Sequence, residues 1–371
     1  MIYLDHGATS FPKPPAVRRA VELALRDCTN PARGSHPAAR KAERIVFGCR
    51  EEAGELFDCR PDQVVFTMNC THGLNIAIRS LVRPGMKVAV SGFEHNAVMR
   101  PLYALGAEIM VAGRRLFDRE DTLLRFRQTL EMGAEAVIVT HVSNVFGYIL
   151  PVEQIAAACR EWGVPFILDA AQSAGHIPVS LEELGADFVA MPGHKGLLGP
   201  MGTGMLLCRD GAEPLLYGGT GTASRDRSMP EELPERLEAG TMNVPGIAGL
   251  REGLRFVRRL GPGRIGQHER HIGLEAVRIL KERGFRPFHG PHQGGTVSFV
   301  PDRGCEELAQ ALGERGIAVR AGLHCAPLAH ESAGTLDTGT VRLSFGWDSG
   351  EGQLRALEKA LDGQGRRPQQ L

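Results

Sequence analysis

Residues 165–208 read PFILDAAQSAGHIPVSLEELGADFVAMPGHKGLLGPMGTGMLLC. Two short apolar runs frame this stretch, 164–168 and 188–191. The first ends in Asp169; the second leads into Gly193-His194-Lys195-Gly196. Apolar runs of this length, bounded by glycine and polar residues, predict strands buried on both faces. Outward from here the pattern repeats. Strands are expected at 63–67, 87–91, 108–112, 136–140, 165–169, 188–191 and 204–208. Between them, 73–81, 122–131 and 152–162 space apolar residues at i, i+3, i+4 and predict helices. The alternation predicts an α/β fold with a mostly parallel sheet flanked by helices. Polar and glycine-rich clusters follow the strands at 68–73, 92–96, 141–147, 170–175 and 192–199. Open α/β sheets bind ligands at that edge, so the site is expected there.

Downstream, 217–243 reads as a long ordered loop, and 245–260 and 263–283 as helices. Segments 296–300, 305–314, 318–320, 341–344 and 351–361 predict a smaller α+β unit. The polar tail 363–371 is expected to fray. The 371 residues suggest about two domains. Lys plus Arg number 43, as do Asp plus Glu, and this balance leaves no electrostatic footprint for nucleic acid or an anionic membrane. No apolar run is long enough to span a bilayer. The opening MIYLDHGATS, with Asp5 and His6 so early, reads as no signal peptide. The eight cysteines are dispersed without a CxxC pair, which disfavours a disulfide scaffold or structural zinc. Thirteen histidines without HExxH spacing predict no metal hydrolase and no metal site. A cytoplasmic location is expected.

A strand-terminal aspartate alone is most often a cap or turn residue, and a lone lysine a solvated side chain. Together, at the ends of neighbouring strands, Asp169 and Lys195 supply what one cofactor needs. Pyridoxal 5'-phosphate requires an amine for a covalent link and a carboxylate that keeps its pyridine nitrogen protonated. Thr71 and His72, at the start of the 73–81 helix, offer a hydroxyl and backbone N–H groups for the phosphate.

Eight segments, in order along the chain, carry a family likeness. They are YLDHGATSFPKP (3–14), FTMNCTHGLN (66–75), SGFEHNAVMRPL (91–102), HVSNVFGYILPV (141–152), ILDAAQSAGHIPV (167–179), MPGHKGLLGPMGTG (191–204), RLEAGTMNVPGI (236–247) and VRAGLHCAP (319–327). The sequence resembles the class V aminotransferase family of PLP fold-type I. Within it, the chain is similar to cysteine desulfurases and selenocysteine lyases with a Suf-type cysteine loop.

The resemblance implies a large PLP-binding α/β domain over 14–245 and a small α+β domain from 1–13 plus 246–371. It makes Lys195 the amine that binds the cofactor and moves the Cα proton. Asp169 takes the pyridinium nitrogen, Gln172 the ring hydroxyl, and His95 stacks on the ring and serves as a catalytic residue that helps relay protons. Thr71, the His72 backbone and His194 hold the phosphate, and Thr241 reaches the phosphate of a partner subunit in a homodimer. Asn144 meets the substrate or the ring hydroxyl, and Arg342 clamps the substrate carboxylate with its planar fork. Arg320 and Arg33 join the substrate contacts, and His6 and His36 lie in segments expected to approach them.

Cys325 decides the reaction. A free cysteine is most often a small buried hydrophobe, but His324 and Arg320 nearby are expected to favour its thiolate. The other seven cysteines are expected to be inert. The expected reaction converts L-cysteine, or L-selenocysteine, to L-alanine, with sulfur held on Cys325 as a persulfide for an acceptor protein. The alternatives are a selenocysteine lyase, another class V transamination or β-elimination, and a non-catalytic sulfur-relay scaffold. The chain departs from the family pattern at His6-Gly7, at His72 and at Gly346-Trp347-Asp348-Ser349.

Overall fold

The computed structural model describes residues 1–31, 34–222 and 224–364. Arg33 and the tail beyond residue 364 therefore lie outside the described residues. Strand β1 (Ile2–Tyr3) precedes two long helices, α1 (Pro15–Asp27) and α2 (Pro37–Phe57). Then come β2 (Val64–Thr67), α3 (Cys70–Leu81), β3 (Lys87–Ser91), α4 (Asn96–Leu105), β4 (Glu108–Ala112) and α5 (Arg119–Glu131). The alternation continues with β5 (Ala136–Thr140), α6 (Val152–Trp162), β6 (Phe166–Asp169), α7 (Leu181–Leu184), β7 (Phe188–Pro192) and β8 (Gly204–Cys208).

These seven strands from β2 to β8 form one sheet in the order β2-β8-β7-β6-β5-β3-β4. Every residue of β5, β6, β7 and β8 is buried, as continuous apolar runs between two helical layers require. The sheet is mostly parallel, as expected, but β8 runs against both β7 and β2. The cause is the short link 193–203. A parallel neighbour needs a crossover of about a dozen residues or more, usually a helix. Pro192 pairs directly with Gly204, so the link 193–203 closes as a hairpin loop with no crossover helix. Lys195 lies in it.

The chain leaves β3 for the edge strand β4 and returns to β5 on β3's other side. The order reverses there, and the segments after β3 and β5 flank the crevice that such a switch opens. Among its described residues, segment 209–243 is irregular apart from one 3-10 turn at Glu235–Leu237. It is anchored by the buried Glu238, whose carboxylate takes Arg50 Nη2 at 2.6 Å and the Phe66 N–H at 2.6 Å.

Helices α8 (Val244–Leu260) and α9 (Pro262–Glu282) lead into the second unit. It contains β9 (Pro287–Phe288), β10 (Thr296–Phe299), α10 (Cys305–Glu314), β11 (Ile317–Ala318) and β12 (Arg320–Gly322). It closes with α11 (Pro327–Ala333), β13 (Thr340–Ser344) and α12 (Glu351–Leu361). Its sheet is antiparallel in the order β12-β13-β10-β9. The chain start joins this unit. Ile2 and Tyr3 pair with Ile317 and Ala318, Leu4 is fully buried among Val341, Leu343 and Leu357, and Asp5 bridges to Ser344. Residues 5–10 then run from the small sheet across to the Lys195 hairpin. No helix among the described residues is long and apolar enough to cross a membrane.

Candidate active site

Asp169 ends β6, and Lys195 sits in the hairpin after the neighbouring β7. The Asp169 carboxyl is 2 % exposed; its Oδ1 accepts the Ala171 N–H at 2.9 Å and the Cys70 thiol at 3.5 Å. Burial pushes its pKa above the ordinary carboxylate value, against the pull of Ala171 and Lys195. Its Oδ2 accepts no hydrogen bond among the described residues. Burial draws the Lys195 amine below the ordinary lysine value; Arg342 and Arg320 add to this, and Asp169 opposes it. Lys195 Nζ likewise makes no hydrogen bond among the described residues. A buried acid with one open oxygen therefore shares a sheet edge with an uncommitted amine.

The hairpin is held from outside. The His194 carbonyl accepts Lys13 Nζ at 2.6 Å, Thr9 Oγ1 at 3.0 Å and the Ser10 N–H at 3.0 Å. Gly196 is needed behind Lys195, because a Cβ there would sit 2.3 Å from the Ala174 carbonyl and from His176 Nε2. His194 Nδ1 is 3.1 Å from Thr9 Oγ1. Burial, then Lys195 and Lys13, hold the His194 pKa down to about 4.

His95 is the N-cap of α4, its Nδ1 accepting the Ala97 N–H at 3.0 Å. An accepting Nδ1 leaves the proton of the neutral ring on Nε2. Burial first, then Lys195 and nearby arginines, bring its pKa down to about 4, so the ring is neutral at pH 7. At the start of α3, Asn69 caps the helix by accepting the His72 N–H at 2.9 Å. That N–H, expected to serve a phosphate, is thus committed to the cap. Thr71 is exposed. Gln172 Nε2 donates to the Gly7 carbonyl at 3.1 Å. Thr241 is exposed and, with Met68, His72 and Gly240, lines a cavity of about 230 Å³.

On the small sheet, Arg320 and Arg342 are cross-strand partners, so their side chains share one face. Arg342 is almost fully buried, donating from Nη2 to Asp5 Oδ1 at 2.6 Å and from Nη1 to the Asn144 carbonyl at 2.9 Å. Arg320 is exposed and pairs with no carboxylate among the described residues. Gly7 lies against the Arg342 guanidinium; a Cβ there would come within 3.1 Å of Cζ. This explains the glycine after His6.

Cys325 is the one exposed cysteine of the eight. Burial pushes the other thiols up: Cys59 and Cys159 to about 12, Cys305 to about 11, with Cys28, Cys49, Cys70 and Cys208 also raised. High thiol pKa values suit inert cysteines. His324, however, is not the positive neighbour expected from sequence. Its ring is buried against Thr340, and burial followed by Arg342 brings its pKa down to about 3. The Asn144 side chain donates to the His324 carbonyl at 2.8 Å, and the Asn96 N–H to the Cys325 carbonyl at 2.8 Å.

Other residues marked as departures have structural settings. His6 is buried beside Tyr3 and packs on Gly346, where a Cβ would lie 2.2 Å from its Nδ1. Trp347 packs edge-on against Phe256 at 4.8 Å. His36 caps α2 through Nδ1. Among residues that sequence reasoning missed, Asp5 braces Arg342 and Cys70 donates to Asp169. Asp5 stood inside a quoted motif, but its partner lies 337 positions away.

The fold and this edge-of-sheet arrangement define a class. A family model described as Aminotransferase class-V matches residues 2–357, and the chain belongs to that family. A probable cysteine desulfurase of Methanothermobacter thermautotrophicus is 32% identical over 377 residues, covering 97% of this chain and 94% of the relative. One from Pyrococcus abyssi is 34% identical over 365 residues, covering 93% and 89%. The apo structure of the cysteine desulfurase from Thermococcus onnurineus matches with a TM-score of 0.87 at 31% identity, over 97% of this chain and 94% of that one. The expected fold-type I architecture is borne out by this match.

Proposed function

We propose that the chain is a PLP-dependent cysteine desulfurase acting on L-cysteine, with Cys325 as the sulfur acceptor. The observation that carries this reading is the placement of one exposed cysteine, its carbonyl accepting the Asn96 N–H and its neighbour His324 held by the Asn144 side-chain amide, at the edge that holds Asp169 and Lys195. Full-length similarity to proteins named cysteine desulfurase supports it.

The residues fit the cofactor. Asp169 is a buried residue whose Oδ2 accepts no hydrogen bond among the described residues, suited to a protonated pyridine nitrogen. Lys195 Nζ is free for the covalent link, and neutral His95 suits a ring stack. Gln172 would meet the ring hydroxyl. Thr71, His194 and the first turn of α3 would hold the phosphate, together with Thr241 from a second copy in a homodimer. When bound, PLP supplies a protonated ring that stores the charge released at the substrate Cα.

The protein's own residues do the rest. Arg320 and Arg342 present a positive face for the α-carboxylate, with Asp5 and the Asn144 carbonyl fixing the Arg342 fork. Lys195 Nζ takes the Cα proton. The Cys325 thiolate forms an S–S bond to the substrate Sγ as the Cβ–Sγ bond breaks, and the electron pair of that bond stays with the carbon skeleton. Proton return gives alanine and leaves a persulfide on Cys325, open to an acceptor protein because the residue is exposed.

The test is to incubate the PLP-loaded protein with L-cysteine, quantify alanine, and examine the Cys325 peptide by mass spectrometry. Alanine together with one added sulfur on Cys325, both lost in Cys325→Ala, is expected. Undiminished alanine from Cys325→Ala, with no sulfur on the wild-type peptide, would move the chain to another reaction of the family. A Cys325→Ala variant active only on L-selenocysteine would extend the reading to selenium.

A further inference from the structure

The segment bearing Cys325 has an unusual backbone. His324 and Cys325 are consecutive non-glycine residues in the left-handed region, with φ of 50° and 58°. Residues with a Cβ disfavour that region, and such strain persists only where the surroundings over-determine it. The backbone of residues 323–326 is held by the Ala326 N–H to the Leu323 carbonyl, the Asn144 side-chain amide to the His324 carbonyl, the Asn96 N–H to the Cys325 carbonyl, and the Ala329 and His330 N–H groups to the Ala326 carbonyl, with the His330 side chain against the Leu323 backbone.

Of the side chains of residues 323–326, His324 makes the hydrogen bonds found among the described residues. Its Nε2 lies 3.2 Å from both the Thr340 carbonyl and Thr340 Oγ1. A carbonyl only accepts, so Nε2 carries the proton and donates to both. The ring is 5 % exposed and stacks on His330, with centroids 6.0 Å apart. His330 is itself fixed, with Nδ1 2.8 Å from Thr335 Oγ1. Thr340 begins β13, the strand that carries Arg342. One neutral imidazole therefore fastens the cysteine segment to the strand that presents the carboxylate-binding arginine.

We propose that His324 is the positioning residue of Cys325, clamping its segment to β13 so that the thiol is held in one pose against the substrate site. The proposal rests on the assignment of Cys325 as sulfur acceptor, and deepens it. His324 touches neither substrate nor reacting sulfur in this scheme. It acts through the backbone of its neighbour.

Three variants separate the clamp from other roles. The Gln side-chain nitrogen in His324→Gln overlays Nε2 and keeps the donor. His324→Asn tolerates a left-handed backbone yet is too short to reach Thr340. His324→Ala removes the ring altogether. The measurements are amide hydrogen exchange of residues 319–328 and of Asn96, the kcat and KM for L-cysteine, and the cofactor absorption spectrum of the PLP-loaded protein.

The Ala and Asn variants are expected to exchange about tenfold faster at these amides, the scale of one lost buried hydrogen bond. Their kcat should fall by a similar factor, with KM and the absorption spectrum unchanged, and Gln should restore both to near wild type. Exchange at the wild-type rate in Ala and Asn, or equal damage in all three variants, overturns the proposal. Where Ala does not fold, the Asn and Gln pair decides. Should the wild-type protein place no sulfur on Cys325, the functional reading fails, while the exchange comparison still decides whether His324 clamps the segment.

Discussion

At the scale of single residues, the Asp5–Arg342 pair shows how the site is braced. Arg342 is 2 % exposed, and among the described residues the Asp5 carboxylate is the acid that pairs with its Nη2. Asp5→Asn keeps the shape and removes that charge, leaving a buried cation unpaired. Unfolding in urea is expected to show a loss of about 2–3 kcal/mol, at the lower edge of what breaking a buried pair costs because the Asp5 side chain is partly exposed. No loss in urea would mean that Arg342 is solvated in another way. Arg342→Lys retains a charge but not the fork; KM for L-cysteine should rise ~10- to 100-fold, the scale of a charge-assisted hydrogen bond. An unchanged KM would shift the carboxylate contact to Arg320 alone. The roles given to Asp169, Lys195 and Cys325 are proposals, but their places were legible in the sequence because each sits where a strand or a glycine-bounded loop ends. Asp5 and Cys70 were not, because their roles exist only once distant segments meet. His324 was misjudged for a related reason: adjacency in sequence reveals nothing about the direction of a ring, and this one turns inward to Thr340.

At the scale of elements, the periodicity of the sequence located the central strands to within a residue or so, because continuous burial leaves little freedom in composition. It did not reveal direction. The antiparallel course of β8 follows from the short link 193–203, a matter of chain length rather than hydrophobicity. Helices α1, α2 and α11 were not anticipated either. Pro15, Pro37 and Pro327 lie in their first turns, where a missing N–H costs nothing, yet proline punctuates a sequence read for strands. The β7–β8 hairpin carries the next prediction. Gly196→Ala would place a Cβ against the Ala174 carbonyl and His176, so the hairpin must shift and carry Lys195 with it. A displacement of about 1 Å in a positioned group costs ~100-fold in rate. Kinetics with L-cysteine should show a fall in kcat of that order while circular dichroism stays native. Wild-type kcat would show that the hairpin has more room than its packing indicates.

At the scale of the whole molecule, the buried histidines set the response to acid. Burial first of all holds His6, His95 and His194 down to about 4, and His141 and His324 to about 3. Below the ordinary histidine value the unfolded chain binds these protons and the folded chain does not, so stability falls as pH drops from about 6.5 toward about 4. Glu94 acts oppositely: burial raises its pKa to about 8, so its contribution is lost as pH rises from about 4.5 through about 8. The histidines are the larger group, so urea midpoints should decline steadily on acidification below about 6.5. A flat profile would mean that these rings are charged in the folded state. The change in pattern after the loop 217–243 was legible, and the strands beyond it form the separate four-stranded sheet. The placing of residues 1–13 with the small unit came from the family resemblance and not from periodicity, since a two-residue strand leaves no periodic signal. The proposed chemistry needs the Lys195 amine and the Asp169 carboxyl to share one pyridine cofactor. Borohydride reduction of the PLP-loaded protein, followed by peptide mass spectrometry, tests this most directly. Phosphopyridoxyl on Lys195, absent in Lys195→Ala, is the predicted result; label on Lys13 or another lysine, or none at all, would contradict it.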